Sequence, residues 1–177
     1  MLRMLVFSSS LLLAGCASIP LATMLQFSRF DVNAFQNINP SEVRAKISID
    51  EPANVKAESV DLNLALNDNK GSRTFTFPLA LLEQNKISAD TGLFFSSPAK
   101  TEYVFKLAPS AIESFQEVQG IIAANSGGGF KLSVGSEFEP LPESVNEITV
   151  SILLKLTEQS DYVTLIDEAT VTFERDN

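Results

Sequence analysis

The sequence predicts a mainly β fold: an antiparallel β-sandwich or strongly curved sheet of about seven strands, with one inserted helix and a short helical N-terminal segment. Three observations predict it. From Val43 onward, apolar and polar residues alternate with period two in segment after segment, as in strands with one wet face. Clusters of turn-forming residues separate those segments. A single later stretch, 110–122, carries an apolar stripe at helical spacing. The chain has 177 residues, of which 45% are apolar and 20% charged. That composition and length suit one globular domain able to bury its own core.

The elements follow in order. Val43, Ala45, Ile47 and Ile49 alternate with Arg44, Lys46, Ser48 and Asp50. Val60, Leu62, Leu64 and Leu66 form the next apolar face. Asn67-Asp68-Asn69-Lys70-Gly71 then turns the chain into a strand carrying Phe75 and Phe77. Pro78 should end that strand or lie on an edge, because it has no N–H to donate. Further faces are Tyr103, Phe105 and Leu107; Phe130, Leu132 and Val134; and the longest, Ile148, Val150, Ile152, Leu154 and Leu156. The last strand combines 162–166 with Ala169, Val171 and Phe173, with an irregularity expected at Asp167-Glu168. Glu158-Gln159-Ser160-Asp161 joins the last two strands.

The helix signal begins with Ser110-Ala111-Ile112-Glu113, which reads as a capping box with Ser110 as N-cap and Glu113 at N3. Ile112, Phe115, Val118 and Ile122 give its apolar stripe, and 125–129 ends it. Gly120 inside the helix costs about 1 kcal/mol relative to Ala, which suggests close packing on a sheet. Upstream, 19–38 is apolar, with Pro20 suited to a first helical turn and Asp31 to capping a short helix that contains Phe35. Two roles stay open for this segment: packing on the core, or lying on a membrane or partner.

Composition narrows the function classes. The chain has 13 basic and 22 acidic residues, a formal charge of -9, no histidine and no tryptophan. An acidic chain is not expected to bind nucleic acid, nor to dock on anionic lipid through a basic face. Without histidine, Ser-His-Asp and Cys-His catalysis are excluded; a Ser-Lys pair stays open, and no serine sits in a G-x-S-x-G setting. The carboxylate pairs Asp50-Glu51, Glu137 with Glu139, and Asp167-Glu168 read as solvated faces. The 67–71 turn departs from Ca²⁺-loop spacing. Gly127-Gly128-Gly129 follows a helix and precedes a strand, the reverse of a phosphate cradle. No catalytic residue, no metal and no diffusible cofactor is expected. Gly92-Leu93-Phe94-Phe95-Ser96-Ser97-Pro98 is an irregular apolar segment, with Phe94 and Phe95 facing core, membrane or partner.

The only cysteine lies in a distinctive setting. Arg3 supplies a positive n-region, and Leu5, Val6, Phe7 and 11–13 a short apolar h-region. The h-region is well short of the roughly 20 residues that a spanning helix needs. It leads into Leu13-Ala14-Gly15-Cys16. This stretch resembles the leader and lipobox of bacterial lipoprotein precursors. The resemblance covers only the leader and the first residues after it. It implies a signal peptide over 1–15, cleavage between Gly15 and Cys16, a diacylglycerol on the Cys16 sulfur, and an N-acyl chain such as palmitate on its amine. More than one acyl chain would anchor the domain stably. Ala17, where the family's inner-membrane retention signal has Asp, implies delivery to the outer membrane.

The expected organisation is a removed leader (1–15), an anchor with an apolar, partly helical lead-in (16–40), and one β-rich domain (41–177). The expected function is a non-enzymatic binding or scaffold module of the cell envelope, facing the periplasm. Its partners would be the membrane, through the anchor, and an envelope protein. The alternatives are a carrier of a hydrophobic ligand such as a lipid, and a carboxylate-dependent hydrolase of envelope glycan.

Overall fold

The computed structural model describes residues 32–68, 71–92, 96–124 and 129–173. Seven strands form one antiparallel sheet: β1 (Arg44–Asp50), β2 (Asp61–Asp68), β3 (Gly71–Ile87), β6 (Lys100–Leu107), β7 (Gly129–Gly135), β8 (Glu147–Lys155) and β9 (Val163–Thr172). Their order is β7-β2-β3-β6-β1-β8-β9. Two residues in each of β4 (Asp90–Thr91) and β5 (Ser96–Ser97) pair in the connection between β3 and β6. The helices are α1 (Val32–Gln36) and α2 (Pro109–Ala124). The mainly β architecture expected from the alternation, with one inserted helix and a short helix before the first strand, is what the described residues adopt.

Strand β3 is 17 residues long and serves both halves of the sheet. Its first half pairs with β2, from Asp68↔Gly71 to Asp61↔Pro78. Its second half pairs with β6, from Leu79↔Leu107 to Ile87↔Lys100. Pro78 ends one ladder but not the strand, and its missing N–H faces the side where β6 has not begun to pair, so of the two expectations the edge position holds and the stop does not. The backbone groups around it find partners across the change. The Leu79 N–H donates to the Val60 carbonyl at 2.9 Å, and the Pro78 carbonyl accepts from the Ala108 N–H at 2.9 Å. Gly71 opens β3 with φ +120, a conformation that a side chain would strain.

Alternation decides what is buried. Ala45, Ile47 and Ile49 of β1 face inward, as do Leu62, Leu64 and Leu66 of β2, and Ile148, Val150, Ile152 and Leu154 of β8. Helix α2 closes one end of this interior. The Phe115 ring lies 5.0 Å from Phe77 and 5.2 Å from Phe35, and Phe35 lies 5.1 Å from Phe130. Phe35 and Ile38 are buried, so the described part of the lead-in packs on the core. Gln119 on α2 ties it down, donating to the Phe35 and Ile38 carbonyls at 2.9 Å and to the Gln36 carbonyl at 3.3 Å. Those carbonyls belong to or follow the last turn of α1, where helical partners run out.

The helix differs from its sequence signal at its start. It begins at Pro109 rather than after Ser110, so the expected capping box does not form there. Proline at the first position has a fixed φ and no N–H to leave unpaired. The Ala111 N–H instead closes the first turn on the Ala108 carbonyl at 2.8 Å. The buried stripe is Ala111, Phe115, Val118 and Ile122, with Ile112 only half-buried. Gly120 is exposed and nothing lies within 4 Å of where its Cβ would stand, so it marks no close packing.

At the other end, the segment between β7 and β8 crosses toward β9. Val55 bridges Phe138, the Lys56 N–H bonds the Glu137 carbonyl at 3.0 Å, and the Glu139 N–H bonds the Asn54 carbonyl at 2.9 Å. Phe138 meets Phe173 edge-on at 6.2 Å, which draws the chain beyond β7 against the chain beyond β9. Thr101, on the inner face of β6, is 1% exposed and its Oγ1 has no hydrogen-bond partner among the described residues.

This packing sets two expectations for stability. Phe115→Ala should lose about 3–5 kcal/mol in denaturant unfolding, because the aromatic cluster around α2 would lose its central ring. Thr101→Val keeps the branched shape and removes a lone buried hydroxyl, so it should raise stability by about 1 kcal/mol in the same assay.

Candidate functional site

The residues that carried the strongest sequence signal, Gly15 and Cys16, lie outside the described residues, as do Phe94, Phe95, Asp31 and most of the glycine run at 127–129. Where the sequence offered a Ca²⁺-like loop at 67–71, Asp68 pairs directly with Gly71 and Asn67 with Ser72. The three carboxylate pairs sit on separate elements. Glu51, just after β1, is 3.5 Å from Lys86, and Glu137 is 3.2 Å from Lys56. Asp167 and Glu168 occupy an irregularity of β9. There Glu168 adopts φ 44, and its N–H donates to Ser151 Oγ at 3.0 Å, as the sequence break anticipated. Among the described residues, no group of three or more metal-ligating side chains is placed to hold an ion.

A concentration of charge stands on the outer face of the β6-β1-β8 part of the sheet. Register places Arg44 of β1 directly between Lys106 of β6 and Lys155 of β8. The next outward position carries Lys46, between Val104 and Leu153. Further along come Ser48, between Glu102 and Ser151, and then Asp50, opposite Lys100. Five of the chain's 13 basic residues thus share one face, and four of them cluster at the end where the lead-in arrives.

Local chemistry fixes this cluster. Arg44 follows the 3-10 turn Pro40–Glu42, and its Nη1 donates to the Ser41 carbonyl at 2.7 Å and to the Val43 carbonyl at 2.9 Å. Asn39 caps that turn, accepting the Ser41 N–H at 3.1 Å. Lys46 is ion-paired with Glu102 at 3.0 Å and lies 5.0 Å from the centre of the Tyr162 ring. No carboxylate among the described residues forms an ion pair with Arg44, Lys106 or Lys155. Sequence reading did not find this row. The alternation put Arg44 and Lys46 on a wet face, but only register brings Lys106 and Lys155 beside them.

Burial shapes the remaining titratable groups. Desolvation raises the Tyr103 phenol above its ordinary range against the lowering effect of a backbone hydrogen bond at Val55, and Glu139 adds to the rise. Its hydroxyl donates to Asn54 Oδ1 at 3.0 Å. Desolvation also raises Tyr162, with Lys46 and Arg44 pulling it down and Glu102 and Glu83 pushing it up. Lys56 is raised by its hydrogen bond to Glu137 and by that carboxylate's charge.

No protein-family model matches the chain, and no curated protein or solved structure gives a significant match. The fold and the face just described therefore stand on this chain's own residues.

Both tyrosines predict alkaline behaviour. A phenol whose folded pKa lies above the unfolded value of about 10 contributes stability that is present below that value. The contribution is lost as pH rises through the folded pKa. Phenolate absorbance should therefore appear later in the folded protein than in the unfolded chain, with stability falling across that interval. A native titration that coincides with the unfolded one would contradict it.

Proposed function

We propose that the chain is a lipid-anchored protein of the cell envelope whose folded domain is a non-enzymatic binding or scaffold module facing the periplasm. One observation carries this reading: the leader that ends in Leu13-Ala14-Gly15-Cys16, which places the only cysteine where a lipoprotein signal ends. Acylation at Cys16 would hold the mature chain on the membrane, and Ala17 favours the outer one.

The domain supports a role in contact. Its inward positions hold tightly packed aromatic and aliphatic side chains, with Phe35, Phe77, Phe105 and Phe115 almost wholly buried. Interior volume is thus taken up by the protein's own residues around α2, which favours a surface over a cavity as the working part. The carboxylates that a glycan hydrolase would need stand on separate elements, several of them in ion pairs with lysines. Phe35 and Ile38 pack directly on the core, so any free tether lies upstream of them.

The test is metabolic labelling with a clickable palmitate in a bacterial host that has two membranes. The wild-type chain should take up label and fractionate with the outer membrane, and Cys16→Ser should do neither. Unlabelled wild-type protein recovered in the soluble periplasm would refute the anchor. Crosslinking in that envelope should then join the domain to a defined neighbour.

A further inference from the structure

We propose that the cationic row Lys106-Arg44-Lys155, with Lys46 behind it, docks on the anionic headgroups of the membrane that holds the chain. The inference deepens the proposed anchoring and rests on it for the nearness of the bilayer. Net charge argued against such a face, and register is what overrules the average. In a chain of formal charge -9, three cations stand abreast on three neighbouring strands. Adjacent strands are about 4.8 Å apart, so the row is only about 10 Å wide. Like charges directly opposite destabilise a sheet. Here no described carboxylate ion-pairs with any of the three to relieve that repulsion. An anionic surface would relieve it.

Placement identifies the surface. The row lies at the end of β1 that follows the Pro40–Glu42 turn, immediately after the lead-in. The connection from Cys16 to Val32 spans at most about 55 Å when fully extended, so the face stays within reach of the bilayer. Along β1 and β6 the charge runs from Arg44, Lys46 and Lys106 near the lead-in to Asp50 and Glu102 farther from it, with Glu83 level with Lys46 on β3 and Glu42 beside Glu158 at the turn before β1. The row stands half-buried on the outer face of the sheet, across three neighbouring strands, which suits an extended layer of charge. Tyr162 and Leu153 lie beside Lys46, and Tyr is a residue that favours the headgroup level. Each basic residue near an anionic surface strengthens binding by about fivefold, within roughly a Debye length.

The experiment uses the mature lipidated protein carrying Thr164→Cys, a position paired with Leu153 on the same face. The Cys16 sulfur is consumed by the lipid, so a nitroxide probe on the introduced thiol reports from that one position. The protein is mixed with phosphatidylcholine vesicles, with or without one-third phosphatidylglycerol, and read by flotation and by accessibility to a water-soluble paramagnetic relaxant. With phosphatidylglycerol at low salt, accessibility should fall at least twofold. It should recover in 0.5 M salt and in R44Q/K106Q/K155Q, whose unchanged far-ultraviolet circular dichroism checks folding. The salt arm needs no variant. Flotation on both vesicle types with the probe equally open in each overturns the docking and leaves the anchor standing. Flotation on anionic vesicles only, lost in salt, supports the docking and removes the anchor. Flotation on neither overturns both. Protection by soluble polyglutamate but not by anionic vesicles overturns the docking in favour of an acidic protein.

Discussion

Strand β3 has to satisfy two ladders in succession, and the place where it changes partner organises much of the molecule. At Pro78 the missing N–H lies on the side away from β2, because the Pro78 carbonyl points to Ala108 while the neighbouring Leu79 N–H points to β2, so the proline costs the β2 ladder no hydrogen bond. The next N–H, from Leu79, reaches Val60, and the Pro78 carbonyl takes up Ala108. Ala108 lies between β6 and α2, so the same carbonyl that marks the switch also positions the start of the helix. Phe77, the last inward residue before the switch, lies under Phe115 of that helix. Phe115 in turn seats Phe35, and Gln119 holds the carbonyls that follow. Corner, helix and lead-in are thus one mechanical chain.

The two faces of the sheet carry different work. Inside, aromatic contact and aliphatic packing supply cohesion that no disulfide is needed to supplement. Outside, the β6-β1-β8 strands leave room for charge, because their inward neighbours already hold them in register. Arg44 can fold its guanidinium back onto the Ser41 and Val43 carbonyls without giving up the ladder. A charged row in the middle of a sheet is tolerable only where burial on the opposite face is this complete.

Much of this fold was legible in the chain. Six of the seven main strands showed period-two alternation, because each has one dry side. The second half of β3 did not show it, since residues 80–87 are almost entirely exposed on both faces and the pairing slips between Leu81 and Glu83. With no dry side there is no period to read. The helix was visible through Phe115, Val118 and Ile122, but its start was not, because Pro109 outweighed a serine-glutamate signal one residue later. The cationic row was invisible for a different reason. Its members are 44, 106 and 155, and no local window contains two of them. The signal at Cys16 is of another kind, read in linear order without any fold, and it lies outside the described residues.

Were the domain anchored as proposed, the slip in β3 would have a consequence in the plane of the membrane. Among the described residues, no strand lies against the free edge of Ala80–Ile87, and Leu81, Leu82 and Ile87 are each more than 40% exposed there. Molecules confined to a plane meet edge to edge far more often than molecules in free solution. A straight, apolar edge would then grow into a shared ribbon. The irregularity after Leu81 puts a step into the backbone, and Glu83 and Lys86 add charge on either side of Gln84. Such a stepped, charged edge is a poor template for pairing with a second copy.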